Sequence, residues 1–372
     1  MDIAFLYIAE AYQCYHGAAV ALELAGRPGV RVTSYYNEPE TRVHLERIRL
    51  AYEAPPMVYR RLGRSPLTRL MQSVRILGMF KSLVMLDNRR ALNRHDAIFT
   101  VEDTVASART LGIRRPKLIY SPHGFGDRAR GFVADVARFD LVLPAGPKTA
   151  ERMLREGLIR SGGYALTGPV KLETCERLRA ASAPLFTGSP ARPAVLYNAH
   201  KAPGLTSWPR FIEPMLAQFA NQDSFDLLVA PHTKLFRRRS RRVRQRWEAR
   251  GSPHVRIDTG SDRSVDMSYT MAADIYVGDV SSQVYEFLAV PRPCVFLNAG
   301  GMDWRDNPSF AHWHLGDVID DPAQVLAAVR AAPGRHAIYR ARQEAMAQAS
   351  LGDRSPGASK RAADAVMRFV QQ

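Results

Sequence analysis

The sequence predicts an α/β protein made of two facing Rossmann-like domains with parallel sheets. Three observations carry this. The chain has 372 residues, enough for two domains with cores of their own. Short apolar runs bounded by turn residues alternate with longer amphipathic stretches through both halves, the rhythm of βα units. A single Ala-, Ser-, Gly- and Pro-rich stretch near the middle has the composition of a linker.

In the first half the predicted strands are Ile3–Ile8, Val30–Tyr36, Ala97–Val101, Lys117–Tyr120, Leu141–Pro144 and Tyr164–Thr167. Helical spacing follows the first strand over His16–Leu24 and the fifth over Thr149–Glu156. The basic stretch from Thr41 to Arg94 reads as helical segments broken near Pro55-Pro56 and Pro66. The second series of strands is Ala194–Tyr197, Phe225–Ala230, Val255–Asp258, Ile275–Gly278, Cys294–Leu297 and Asp317–Ile319. Its helices include Pro209–Ala220, Arg237–Arg250, Val280–Ala289 and Pro322–Ala331. The predicted organisation is an N-terminal Rossmann-like domain over 1–178, a linker over 179–193, a C-terminal Rossmann-like domain over 194–334 and a helical segment over 335–372.

Fifty-two Lys and Arg against 36 Asp and Glu give a net charge of +16, which favours phosphorylated substrates, anionic membrane surfaces or nucleic acid. Seven arginines fall between Arg237 and Arg246. They suit a solvated helix or an anionic-lipid or polyanionic-acceptor surface. The aromatic-interleaved motifs and zinc spacings of nucleic-acid binders are missing, so no nucleic acid is expected. Met1-Asp2 carries an acid where a signal peptide needs basic residues, and charges interrupt every long apolar run. A cytoplasmic protein is expected, with peripheral contact at the inner face of the membrane through the arginine block.

Cys14, Cys175 and Cys294 fit neither a disulfide framework nor a metal site. No metal and no cofactor are expected: His-Glu-x-x-His, Walker, Gly-x-Ser-x-Gly and Gly-x-Gly-x-x-Gly patterns are all missing. Gly300-Gly301-Met302-Asp303-Trp304 reads as a turn, with the acceptor side of a cleft as the other reading.

The most informative run is Ile275-Tyr276-Val277-Gly278-Asp279-Val280-Ser281-Ser282, followed by Gln283 to Ala289. A buried strand ends in Gly-Asp, and two serines stand where a helix begins. Free N–H groups, the positive end of the helix dipole and two small hydroxyls suit a diphosphate there. Glu286, one turn beyond Ser282, is placed for ribose hydroxyls. The same residues also suit a plain helix start, with Asp279 or Ser281 as its cap, and the residues alone fit both readings.

Asp279-Val280-Ser281-Ser282, its apolar helix and the Pro291-Arg292-Pro293 turn before Val295-Phe296-Leu297 resemble the hallmark segment of the CDP-glycerol glycerophosphotransferases of teichoic acid assembly. Ser121-Pro122-His123-Gly124, Ala230-Pro231-His232-Thr233-Lys234 and Thr167-Gly168-Pro169 resemble that family's His-Gly, Pro-His and Thr-Gly-Pro elements, in the same order. The likeness spans roughly residues 115 to 300. It implies a GT-B fold and a transferase that moves a glycerophosphate, a related polyol phosphate or a sugar from a nucleotide-diphosphate donor to a hydroxyl acceptor, lipid-linked or polymeric, in cell-surface polymer synthesis.

On that resemblance His123 is the general base, with Gly124 giving its imidazole an unobstructed approach; a histidine near pKa 6.5 can take a hydroxyl proton at neutral pH. His232, beside Lys234, stabilises the donor diphosphate as the nucleotide leaves. Asp279, Ser281, Ser282 and Glu286 bind the donor. The chain departs from the family after the first strand of the second domain, where Tyr197-Asn198-Ala199-His200-Lys201 replaces a Pro-Thr-Trp-Arg-like element; His200, Lys201 and Thr206 can still form a phosphate loop. Tyr285-Glu286-Phe287 is closer to the ribose-binding glutamate of nucleotide-sugar enzymes. The donor therefore stays open among CDP-glycerol, CDP-ribitol and a UDP- or CMP-sugar. A UDP-sugar glycosyltransferase, a nucleotide-sugar 2-epimerase and a non-catalytic nucleotide- or polyanion-binding relative are the other readings.

Overall fold

The computed structural model describes residues 1–73, 77–126, 132–179 and 192–372. The linker expected over 179–193 lies outside them save for its ends. The described chain divides into two compact units, one of residues 1–73, 77–124, 132–179 and 349–372, the other of residues 125, 126 and 192–348.

In the first unit the strands are β1 (Asp2–Tyr7), β2 (Arg31–Tyr36), β3 (Val58–Arg61), β4 (Ala97–Thr100), β5 (Lys117–Tyr120) and β6 (Leu141–Val142). They form one parallel sheet in the order β3-β2-β1-β4-β5-β6. The second unit repeats the plan with β7 (Ala194–Asn198), β8 (Asp226–Val229), β9 (Val255–Ile257), β10 (Ile275–Gly278), β11 (Cys294–Leu297) and β12 (Asp317–Ile319). Their order is β12-β11-β10-β7-β8-β9. Central strands of such sheets are covered on both faces and so read as unbroken apolar runs. Ile3, Ala4, Phe5 and Leu6 of β1 are fully enclosed, as are Val195, Leu196 and Tyr197 of β7. In the second unit Phe211, Met215 and Phe219 of helix Trp208–Ala220 pack on Tyr197, Leu227 and Val229.

Strand order reverses between β1 and β4 in one sheet and between β7 and β10 in the other. Ligands of open α/β sheets bind outside the carboxyl ends of the strands at such reversals. Gly278 closes β10 there for a steric reason: a Cβ would lie 2.8 Å from the Asn198 carbonyl oxygen on β7.

Several expectations need correction. The basic stretch from Thr41 to Arg94 is not helical throughout, because β3 pairs with β2 at the sheet edge. Its residues are largely exposed, so no apolar alternation marked it. Tyr164–Thr167 is not a full strand; it makes one bridge, Val142 with Tyr164, and runs on beside β6 through Ala165 N to Val142 O and Thr167 N to Pro144 O, each 3.1 Å. The arginine block is not one helix: a 3-10 turn (Thr233–Leu235) precedes it, and the helix starts at Arg241, where the Ser240 hydroxyl accepts from Val243 N at 3.3 Å. The helix expected over Val280–Ala289 shortens to Gln283–Phe287. At the C-terminus, helix Val325–Leu351 runs on through Pro333, and helix Ala358–Gln371 belongs to the first unit, where Glu173 binds Gly357 N at 2.8 Å. Among the described residues no helix is long and apolar enough to cross a membrane.

Candidate functional site

In the second unit, the loops leaving β7, β8 and β10 carry every predicted donor-binding residue except Gly124. One carboxylate organises two of these loops. Asp279, the first residue after β10, is fully enclosed and turns inward. Its Oδ1 accepts from His200 N at 2.7 Å; its Oδ2 accepts from Ser207 N at 2.7 Å and Ser207 Oγ at 2.8 Å. Burial pushes this carboxyl up to about 7, against the opposing pull of the Ser207 and His200 donors. Asp279 therefore fixes the loop from His200 to Ser207 at the head of helix Trp208–Ala220. Behind it, the Tyr197 hydroxyl meets Ser207 Oγ at 2.8 Å, and Asn198 Nδ2 donates to Ala230 O at 2.7 Å, tying the end of β7 to that of β8.

His200 and His232 use their rings alike. Each Nδ1 accepts from the backbone N–H two residues on, Ala202 N at 3.1 Å and Lys234 N at 3.2 Å. A backbone N–H can only donate, so in each ring Nδ1 holds a lone pair and Nε2 carries the proton. The ring centroids stand 6.1 Å apart, edge to face. His232 N also donates to Ala199 O at 2.9 Å, so the β7 and β8 loops are tied directly. Lys201, Thr206 and Lys234 sit half-buried in the same loops, with Thr206 Oγ1 accepting from Trp208 N at 3.2 Å. After β10, Ser281 Oγ accepts from Gln283 N at 3.2 Å. Ser282 stands at the N-cap position of the five-residue helix but makes no side-chain capping bond, and Glu286 of that helix is buried.

His123 and Gly124 belong to the first unit. The exposed His123 follows β5, and Gly124 has φ +114°, a left-handed conformation that favours glycine. His123 Nδ1 donates to Val101 O at 2.5 Å, which leaves the lone pair on Nε2. Gln13 Nε2 lies 3.3 Å from that atom and donates with its other hydrogen to Glu102 Oε2 at 3.0 Å. The Lys81 ammonium pairs with Glu102 Oε1. Burial works to raise the Glu102 carboxyl, but Lys81, Gln13 and His123 together hold it below the usual range, so it is ionised. His16 packs edge-on to His123 at 6.3 Å, and burial, with Lys171 and His123 adding to it, keeps it well below the ordinary imidazole range. Gln13, Lys81 and Glu102 around His123, and Ser207 around Asp279, were not picked out in the sequence. Glu102 was visible as an acid just beyond a strand end; Gln13 and Lys81 carried no signal, because the reversal that gathers them is a property of strand order.

Cys14, Cys175 and Cys294 are free and buried, and burial pushes the Cys14 and Cys294 thiols well above the ordinary range. Among the described residues no group of three or more His, Cys, Asp or Glu side chains is placed to hold a metal ion.

No family model matches the chain, and no curated protein matches it. Solved structures do. A wall teichoic acid polymerase, TagF, in a histidine-to-asparagine form with CDPG, is 10% identical with a TM-score of 0.66, over 100% of this chain and 88% of its own. The chain has the GT-B fold. A UDP-GlcNAc 2-epimerase from Neisseria meningitidis bound to UDP-GlcNAc is 12% identical with a TM-score of 0.65, over 99% of this chain and 100% of its own. S. aureus MnaA with UDP is 13% identical with a TM-score of 0.65, over 100% and 97%. Identities this low carry the architecture alone.

Proposed function

We propose that the chain is an enzyme that transfers a glycerophosphate or related group from a nucleotide-diphosphate donor such as CDP-glycerol to a hydroxyl acceptor. The observation that carries this reading is the pair of imidazoles at the carboxyl ends of β7 and β8, each with its proton set on Nε2 by a backbone N–H on Nδ1. The half-buried His232 N–H, with Ser281, Ser282, Lys201 and Lys234 on neighbouring loops, suits a diphosphate whose charge grows as the nucleotide leaves, and the His200 ring, its Nε2 buried, stands behind it edge to face. The comparison structures support it as well, one containing CDPG and others UDP or UDP-GlcNAc.

His123 supplies the base. Its Nε2 lone pair, met here by the Gln13 amide, accepts the proton of the acceptor hydroxyl; the oxygen attacks the phosphorus bearing glycerol, and the bond to the nucleotide phosphate breaks to release CMP. The ionised Glu102 stabilises the imidazolium so formed. A 2-epimerase would need carboxylates turned to the sugar, whereas Glu102 is engaged by Lys81 and Gln13 and Asp279 by the His200–Ser207 loop. These engagements favour transfer. The exposed Arg238, Arg239, Arg241, Arg242 and Arg246 have no acidic partner among the described residues, which suits an anionic membrane surface carrying the acceptor.

The test is a donor panel of CDP-glycerol, CDP-ribitol, CMP, UDP and UDP-GlcNAc read by thermal shift, then by product analysis with and without acceptor. A cognate donor at 100 times its Kd stabilises by about 2.7 kcal/mol. Turnover of CDP-glycerol that His123→Ala and His232→Ala leave at the wild-type rate would refute the mechanism. Conversion of a UDP-sugar without acceptor would make the chain an epimerase.

A further inference from the structure

The loop after β11 carries none of the residues assigned to that reaction, and it walls a cavity of about 500 Å³ within the second unit, lined among others by Trp304, Arg305, His314, Asp320, Tyr339 and Arg342. This is the size of a small-molecule site. Its walls are fixed. Asn298 brackets Met302, its Oδ1 accepting from Met302 N at 2.7 Å and its Nδ2 donating to Met302 O at 3.1 Å. His314 Nε2 donates to Arg305 O at 2.9 Å, and the Trp304 ring stands 4.8 Å from the His314 ring and 5.9 Å from that of Trp313. Opposite, the Tyr339 hydroxyl donates to Asp317 Oδ1 at 2.6 Å, on the carboxylate that also pairs with Arg335.

Two guanidinium groups at this cavity have no acidic partner among the described residues: Arg305, over the Trp304 ring at 5.1 Å, and Arg342. Asp320, exposed, brings a single carboxylate. The geometry points to a binding site for a phosphorylated sugar, separate from the loops that carry His200 and His232. Arginine forks match phosphate oxygens, a carboxylate accepts from sugar hydroxyls, and indole and phenol rings offer apolar faces to the C–H face of a sugar ring. Two positive groups against one negative select an anion. The carboxylate opposes a bare polyphosphate and rewards a hydroxyl-bearing end.

The inference does not depend on the transfer reaction, and its test is separate. The full chain is titrated calorimetrically with glucose 1-phosphate, glucose and inorganic phosphate. Saturable binding of glucose 1-phosphate, tighter than either fragment, is expected. The double variant Arg305→Ala/Arg342→Ala, at two exposed positions, weakens it about tenfold or more. Asp320→Asn weakens the sugar phosphate and spares inorganic phosphate. CMP and UDP binding should be unchanged in all three proteins, which separates this site from the donor loops. No binding of glucose 1-phosphate, equal binding of it and inorganic phosphate, or an unchanged Kd in a double variant with wild-type melting temperature would overturn the assignment.

Discussion

Ser207 and Asp279, 72 residues apart in sequence, meet through two hydrogen bonds to one carboxylate oxygen, at 2.7 Å from Ser207 N and 2.8 Å from Ser207 Oγ. His200 N takes the other oxygen. The acid that looked from sequence like a donor ligand or a helix cap holds the neighbouring loop in place.

That arrangement makes stability depend on pH. The folded carboxyl is raised by burial to about 7, whereas an unfolded aspartate titrates near 4. Between these values folding takes up a proton, so this group's contribution falls as pH rises from about 4 and is fully lost above about 7. Denaturant unfolding at pH 5 and pH 8 should show wild type losing on the order of a few kcal/mol relative to Asp279→Asn across that window. Parallel pH dependence in the two proteins would remove Asp279 as the source.

Around His123 the charge and the hydrogen bonds can be separated. Glu102→Gln keeps an acceptor for Gln13 but removes the negative charge that stabilises the imidazolium. With CDP-glycerol as donor, kcat should fall about tenfold with KM little changed, while His123→Ala should cost at least about a hundredfold. A Glu102→Gln enzyme with altered KM and unchanged kcat would assign Glu102 to binding instead.

Much of the architecture could be read from the residues, because parallel strands enclosed on both faces leave unbroken apolar runs such as Ile3–Leu6 and Ile275–Val277. The edge strand Val58–Arg61 could not, since it is mostly exposed and follows two prolines. Single-residue motifs at strand ends, such as His123, His200 and His232, were visible for the same reason as the strands. Their partners were not: Lys81 reaches Glu102 from a helix, and Ser207 reaches Asp279 across the sheet reversal, and both pairings depend on strand order.

The exposed arginines predict a salt-sensitive affinity for anionic lipid. Each basic residue near such a surface contributes about 1 kcal/mol. Arg238, Arg239, Arg241 and Arg242 changed together to Gln should therefore reduce sedimentation with phosphatidylserine-containing vesicles at least about tenfold, with donor turnover in solution unchanged. Binding that survives both this variant and high salt would place the membrane contact elsewhere or make it apolar.

The twin imidazoles allow the sharpest test of the donor loops, because glutamine imitates one of their features and omits the other. Its amide offers an N–H near the reach of Nε2 but has no ring nitrogen to accept from the backbone two residues on, a bond made by Ala202 N at 3.1 Å and Lys234 N at 3.2 Å. Asparagine reverses this, since its short side-chain oxygen can accept locally while its reach falls short of the phosphate. If His232 acts by donating from Nε2, His232→Gln should retain more activity than His232→Asn, and His232→Ala should lose about a hundredfold or more in kcat, in the range of a deleted oxyanion donor. If it only shapes the turn, His232→Asn should be the better enzyme and His232→Gln the less stable protein. The same comparison at His200 should favour asparagine for stability, since that ring is buried against the loop held by Asp279. Measuring kcat and melting temperature across the six single variants therefore separates an electrostatic contribution to the transition state from a contribution to loop order.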